Sequence, residues 1–295
     1  MSDQATALRH IVKNIKQQRN RDPNSGARIV TVTSGKGGVG KTNFTVNFAI
    51  ALAKKGLRVL IVDADFGLAN VDVVMGITPN KDLSWVVNNH GEIRDVITEG
   101  PNGVRFISGG SGVFDLLNLS DNQLAAVVEK LFAIEDIADV ILFDTGAGIS
   151  GNILRLIESS HEVIIITTPE PPAIMDAYAL VKSIVAGTAD ARLRLVVNRA
   201  DSVDDAEDAL GKFSAVVNLY LKTRLEVLGY VLNDPLVGKA VRVQTPFMLS
   251  HPKSIPSRNV DGIAWKFLGI APERTGLTFK SFLNSFLGKK TTPEE

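Results

Sequence analysis

The run Gly35-Lys36-Gly37-Gly38-Val39-Gly40-Lys41-Thr42 holds the residues with the clearest chemical capacity. Its glycines let backbone N–H groups turn inward around an anion, and a helix opening directly after them adds partial positive charge. The spacing is that of a Walker A phosphate loop, in which Lys41 reaches the β- and γ-phosphates and the Thr42 hydroxyl binds Mg²⁺. Asn43 completes the nucleotide-binding run.

Acidic residues stand where such a loop needs them. Asp63-Ala64-Asp65-Phe66-Gly67-Leu68-Ala69-Asn70 follows an apolar run. At a strand end facing the phosphates, Asp63 would support the metal through water, and Asp65 would orient or deprotonate the attacking water. Ile141-Leu142-Phe143-Asp144 ends another apolar run and reads as Walker B, with Asp144 holding a magnesium-bound water. Thr145-Gly146-Ala147-Gly148 follows, small enough for backbone to approach the γ-phosphate. Guanine-binding NKxD is absent, since Asn198 is followed by Arg199-Ala200-Asp201. Asp234-Pro235 falls in a later loop placed to border the base.

These residues need strands ending at one edge. Val- and Ile-rich runs at 28–33, 58–62, 104–107, 140–143, 162–167, 192–197 and 227–231 predict strands. Helical periods at 43–55, 120–132, 152–159, 173–186 and 206–222 separate them. Unbroken apolar strands alternating with helices predict an α/β fold of three layers, the P-loop NTPase arrangement: a mostly parallel central sheet with helices on both faces. The expected division is a terminal helix and linker at 1–27, an ATPase domain at 28–275, and an amphipathic helix with a polar tail at 276–295.

Composition narrows the partners. The 295 residues carry 32 basic and 32 acidic side chains, so net charge gives no attraction to nucleic acid, and DNA is not an expected partner. With no cysteine there is no disulfide framework, thiolate zinc site or cysteine-held iron–sulfur cluster, and a reducing cytosol suits the chain. No apolar run approaches a membrane span. Near the C-terminus, however, Phe279, Phe282, Leu283, Phe286 and Leu287 form a helical apolar stripe, with Lys280, Lys289 and Lys290 beside it. A short stripe of this kind would bind anionic lipid weakly, and two on one dimer would gain avidity.

The phosphate loop with Lys36 straight after its first glycine resembles the deviant-Walker family of MinD, ParA and the FlhG/FleN (YlxH) flagellar regulators. The resemblance implies an ATP/ADP- and Mg²⁺-dependent ATPase, homodimeric with ATP, whose Lys36 reaches the phosphates of the facing subunit. A cation supplied in trans couples dimerisation to bound triphosphate and stabilises transition-state charge. The DxD run then resembles switch I, with Asp65 catalytic; DTGAG resembles switch II, with Gly146 where the family usually has proline. The resemblance also places Asn198 at adenine. Asp3-Gln4-Ala5-Thr6-Ala7-Leu8-Arg9 matches the DQAxxLR motif of FlhG proteins. It implies that Asp3, Gln4, Leu8 and Arg9 engage a signal-recognition-particle-type flagellar GTPase; flagellar basal-body switch components are further expected partners. The C-terminal stripe resembles the membrane-targeting helix of MinD and FlhG, implying a cytoplasmic protein reversibly peripheral on the inner face of the cytoplasmic membrane. Within the class, the rivals are a MinD-type division-site regulator and a ParA-like DNA-segregation ATPase.

Overall fold

The computed structural model describes residues 27–65, 70–83, 85–86, 91–109, 132–187, 192–269 and 286. Residues 120–131 of the helix expected at 120–132, the motif carrying Asp3, Gln4, Leu8 and Arg9, and the stripe residues Phe279, Phe282, Leu283 and Leu287 lie outside the described residues.

In chain order the strands are β1 (Arg28–Ser34), β2 (Val59–Ala64), β3 (Thr98–Glu99), β4 (Arg105–Ile107), β5 (Val140–Ala147), β6 (Glu162–Thr167), β7 (Arg192–Ala200) and β8 (Glu226–Leu232). The described α-helices are α1 (Lys41–Lys54), α2 (Val71–Met75), α3 (Gly151–Ser159), α4 (Pro171–Ala186), α5 (Val203–Leu221), α6 (Pro235–Arg242), α7 (Phe247–Ser250) and α8 (Ile255–Gly269). All the strands join one sheet in the order β3-β4-β2-β5-β1-β6-β7-β8. Every pairing is parallel except β3 with β4. After β1 the chain builds one side of the sheet, then crosses back through β5 and completes the other. This makes β1 a switch point, and crevices at strand C-termini beside a switch point are where open α/β sheets bind ligands.

Alternation along the strands divides the core between the faces. Val30, Val32, Ile164 and Ile166 pack with Phe44 and Phe48 of α1 and with Val260, Ile263 and Phe267 of α8. Val163, Ile165, Leu195 and Val197 pack on the other face with α3, α4 and α5. The helix α8 was not among the sequence expectations, nor were α6 and the edge strand β3. Helix α1 also begins earlier than expected, so that Lys41 and Thr42 belong to its first turn.

At the N-terminal ends of the strands, far along them from the phosphate loop, lies a buried ionic cluster. Glu162 of β6 takes Arg28 of β1 on one side and Arg194 of β7 on the other, the latter at 2.8 Å. Burial works against the Glu162 charge, but the two guanidiniums outweigh it and hold the carboxyl below its usual range. The Phe267 ring of α8 lies 3.5 Å from the Arg28 guanidinium and fastens that helix to the sheet.

Candidate active site

The phosphate loop runs from the end of β1 into α1. Gly38 and Gly40 have φ of +77° and +86°, a region that other residues enter only with strain. Gly35 is required for space instead: a Cβ there would lie 2.2 Å from the Asp176 backbone of α4. The loop is therefore wedged beneath α4, and Val39 and Lys41 are buried with it.

Parallel pairing of β2 with β5 sets Asp63 directly beside Asp144, and both side chains are fully buried. Asp144 Oδ1 receives the Thr45 hydroxyl at 2.8 Å and lies 3.4 Å from Lys41 Nζ. Burial lifts its carboxyl above the ordinary range, opposed by Lys41 and by the hydroxyls of Thr42 and Thr45. Asp63 spans the start of the next loop: Oδ1 accepts from the Asp65 amide at 3.0 Å, and Oδ2 from the amides of Asn70 and Val71 at 2.9 and 3.1 Å. Burial and then the Asp144 charge push the Asp63 carboxyl up to about 7, against those three donors. Asp65 is half-buried, and a Cβ on Gly146 would lie 3.0 Å from its Oδ1. The DxD loop thus meets the DTGAG loop at Gly146, which leaves the Asp65 carboxylate room.

The arrangement suits Mg²⁺ with a triphosphate. Asp144 Oδ2 is buried with no hydrogen-bond partner among the described residues. An oxygen so placed, on the same carboxylate as the lysine and threonine contacts, fits a metal-bound water. One hydroxyl and water-linked carboxylates are a small protein share, as Mg²⁺ prefers when phosphate oxygens supply the rest.

The other expected residues fall into two groups. Lys36 lies at the surface, with Nζ 3.2 Å from Glu170 at the start of α4. Asn43 accepts two hydrogen bonds from Asn47 within α1, one at its carbonyl and one at its side chain. Asn198, two residues before the end of β7, lies against the loop and donates from Nδ2 to the Val39 carbonyl at 2.7 Å. Asp234 caps α6, accepting from the Leu236 amide at 2.8 Å, with Pro235 in the first helical position. That turn abuts the end of β7, where the Asn233 amide donates to the Ala200 carbonyl. Sequence reasoning missed Thr45, Glu170 and Arg199. Thr45 was within reach of it, lying one helical turn beyond Lys41; Glu170 and Arg199 come close to the loop only through the fold.

A pH effect follows from the buried pair. The folded chain keeps the Asp63 proton up to about pH 7, whereas an unperturbed aspartate loses it near 3.8. Between those values the native state binds the extra proton, so stability falls as pH rises through this window and stays low above it. The loss should be on the order of 4 kcal/mol. In nucleotide-free protein, Asp63→Asn should flatten the slope, so that urea midpoints of variant and wild type diverge between pH 5 and pH 8 in the variant's favour. Parallel midpoints at the two pH values would show that Asp63 is ionised throughout.

Residues 30–275 match the CobQ/CobB/MinD/ParA nucleotide binding domain family. The antiactivator FleN of Pseudomonas aeruginosa is 38% identical over 239 residues, 81% of this chain and 85% of that protein. The flagellum site-determining protein YlxH of Helicobacter pylori is 33% identical over 267 residues, 90% of each. Among solved structures, the cell division ATPase MinD of Pyrococcus furiosus superposes with a TM-score of 0.68 at 26% identity, over 82% of this chain and 98% of that one. MinD of Pyrococcus horikoshii complexed with Mg-ADP gives 0.66 at 25%, over 81% and 94%. With its phosphate loop, paired carboxylates and sheet order all in place, the chain belongs to the MinD/ParA family of nucleotide-binding ATPases, among the FleN/YlxH proteins.

Proposed function

We propose that the chain is an ATP-driven switch that dimerises on ATP, hydrolyses it slowly, and regulates flagellar number and placement. The observation that carries the reading is the division between the two loop lysines. Lys41 is buried against Asp144 of its own chain, while Lys36 stands partly exposed at the surface in a pair with Glu170. A surface lysine beside a phosphate loop is available to a second copy. Water positioned or deprotonated by Asp65 attacks the γ-phosphorus, the bond to the bridging oxygen breaks, and ADP and phosphate leave. Lys41 and the Lys36 of a second copy stabilise the charge on the transferring group. Thr42, with Asp63 and Asp144 through water, would hold Mg²⁺, which neutralises charge on the β- and γ-phosphates. Asp65→Ala should trap an ATP-bound dimer, and Lys36→Ala should impair dimerisation or turnover while retaining nucleotide. Light scattering that finds Asp65→Ala monomeric in saturating Mg-ATP defeats this account.

Reversible membrane association through 276–295 is the second part of the proposal. Phe286, the described residue of the stripe, is helical and half-buried against the core cluster that contains Ile29, Leu60 and Ile141. A side chain that is only partly covered, as Phe286 is, can exchange that surface for lipid at modest cost. Phe282→Glu with Phe286→Glu should abolish sedimentation with anionic liposomes in ATP while leaving hydrolysis in solution intact. Loss of the fold in that variant would make the stripe part of the core and end the membrane reading.

The flagellar assignment is supported by similarity to FleN and YlxH over most of the chain and by the DQAxxLR match at residues 3–9. On this reading, the segment stimulates a signal-recognition-particle-type GTPase. Gln4 can donate and accept without adding charge beside phosphate, and Leu8 supplies an apolar anchor. Gln4→Ala should lower the partner's GTP turnover while largely sparing binding, and Leu8→Ala should weaken binding. Equal turnover with the wild-type chain and one lacking residues 1–20 would leave a MinD-type division-site regulator as the better reading.

A further inference from the structure

Strand β7 does not run regularly to its end. Its pairing with β8 shifts between Asn198 and Ala200, and Arg199 between them has φ of +58°. A non-glycine residue in that region is strained, and a bulge at a strand end re-aims the side chains around it. Here the consequence is specific. Successive strand residues ordinarily face opposite sides of a sheet, yet these two reach the same loop. Asn198 Nδ2 donates to the Val39 carbonyl at 2.7 Å, and Arg199 Nη1 donates to the Gly38 carbonyl at 3.3 Å.

Those carbonyls belong to the turn between the left-handed residues Gly38 and Gly40. For the N–H groups of a loop to converge on an anion, its carbonyls must face outward and find donors elsewhere. Asn198 and Arg199 are those donors. Asn198 also fits tightly: a Cβ on Gly40 would lie 2.5 Å from its Nδ2. Only the NH₂ side of the amide can face a carbonyl, so the bond to Val39 fixes the orientation of the whole side chain.

We infer that Asn198 and Arg199 are positioning residues for the phosphate loop, acting on the triphosphate through the loop's shape. The inference rests on the ATPase reading and deepens it. It is a separate role from the adenine contact that family resemblance implies for Asn198, since the bond to Val39 uses Nδ2 and leaves Oδ1 to accept from a base. A base reader discriminates ATP from GTP and is indifferent to a ligand without a base. A loop anchor affects every triphosphate alike.

The test measures calorimetric affinities of the full chain for ATP, GTP and inorganic tripolyphosphate, each with Mg²⁺, beside thermal midpoints. Asn198→Ala should weaken all three ligands, tripolyphosphate included, by about five- to thirty-fold. Asn198→Asp should weaken them further, because it sets a carboxylate against a carbonyl. Arg199→Gly relaxes the backbone while removing the donor. It should weaken triphosphate by about two- to five-fold without lowering the thermal midpoint, a separation that a merely structural residue would not show. If Asn198→Ala weakens ATP but binds tripolyphosphate like wild type, Asn198 acts through the base alone and the inference is wrong. Unchanged affinities throughout also overturn it. Should Asn198→Ala not fold, Arg199→Gly decides by the same comparison. A wild-type chain that bound none of the three ligands would defeat the ATPase reading itself.

Discussion

Asp63 and Asp144 are held side by side, out of water, by the parallel register of β2 and β5. Two like charges in that position repel, and burial raises the cost of each. Their surroundings answer unequally. Asp144 has Lys41 and Thr45 at one oxygen, whereas Asp63 has three backbone donors. Two parts of a phosphate-binding site are fastened to this pair: the first turn of α1 through Asp144, and the start and end of the DxD loop through Asp63. Whatever changes the charge between the carboxylates therefore bears on both attachments at once. A cation at the unpartnered Asp144 Oδ2 would favour the ionised form of each, and an occupied phosphate loop would draw Lys41 toward the ligand.

The opposite ends of the strands are built the other way. Glu162 is enclosed by Arg28 and Arg194, and its charge is favoured rather than resisted. Removing one member of such a buried cluster leaves an uncompensated charge, which makes the arrangement hard to change by halves. The sheet is thus fixed at one end by satisfied charges, with α8 fastened there through Phe267. At the other end it carries groups whose protonation and contacts a ligand can alter. On the proposed function, a phosphate-triggered change would act on the loops at the strand C-termini, which hold Lys41, Asp63 and Asp144.

Much of this was legible in sequence because the relevant signals are periodic or local. Val30 and Val32 against Ile29, or Ile164 and Ile166 against Val163 and Ile165, are runs buried on both faces, which mark parallel strands. The phosphate loop is a contiguous motif, as are Asp63 and Asp144 at strand ends. Helix α8 carries a readable stripe at Val260, Ile263, Ala264, Phe267 and Leu268, but Pro256 near its start and Gly262 within it resemble breaks. Pro256 is tolerated because the first turn needs no intrahelical donor. Asp234-Pro235 suggested a base-bordering loop, and locally it is a cap followed by the first helical residue. What could not be read was contact between distant segments. Glu170 meets Lys36 across 134 positions, and Arg199 meets Gly38 across 161. No glycine or asparagine marks the left-handed backbone at Arg199; the fold imposes it.

The Lys36–Glu170 pair sets the terms on which the proposed dimer forms. Both side chains are substantially exposed, so their attraction is screened, and such pairs contribute from almost nothing to about 1 kcal/mol. That is enough to bias where the ammonium rests and too little to hold it there. A triphosphate in the facing site of a second copy carries several negative charges in a drier, better organised setting, where a hydrogen-bonded ion pair is stronger. Lys36 can therefore leave Glu170 for that site at small cost. Without a γ-phosphate the exchange gains less, and Glu170 is sufficient competition. The two lysines of the loop accordingly do different work. Lys41, buried against Asp144, contributes to binding in a single chain. Lys36, weakly held at the surface, would on the proposed function make dimerisation depend on which nucleotide is bound.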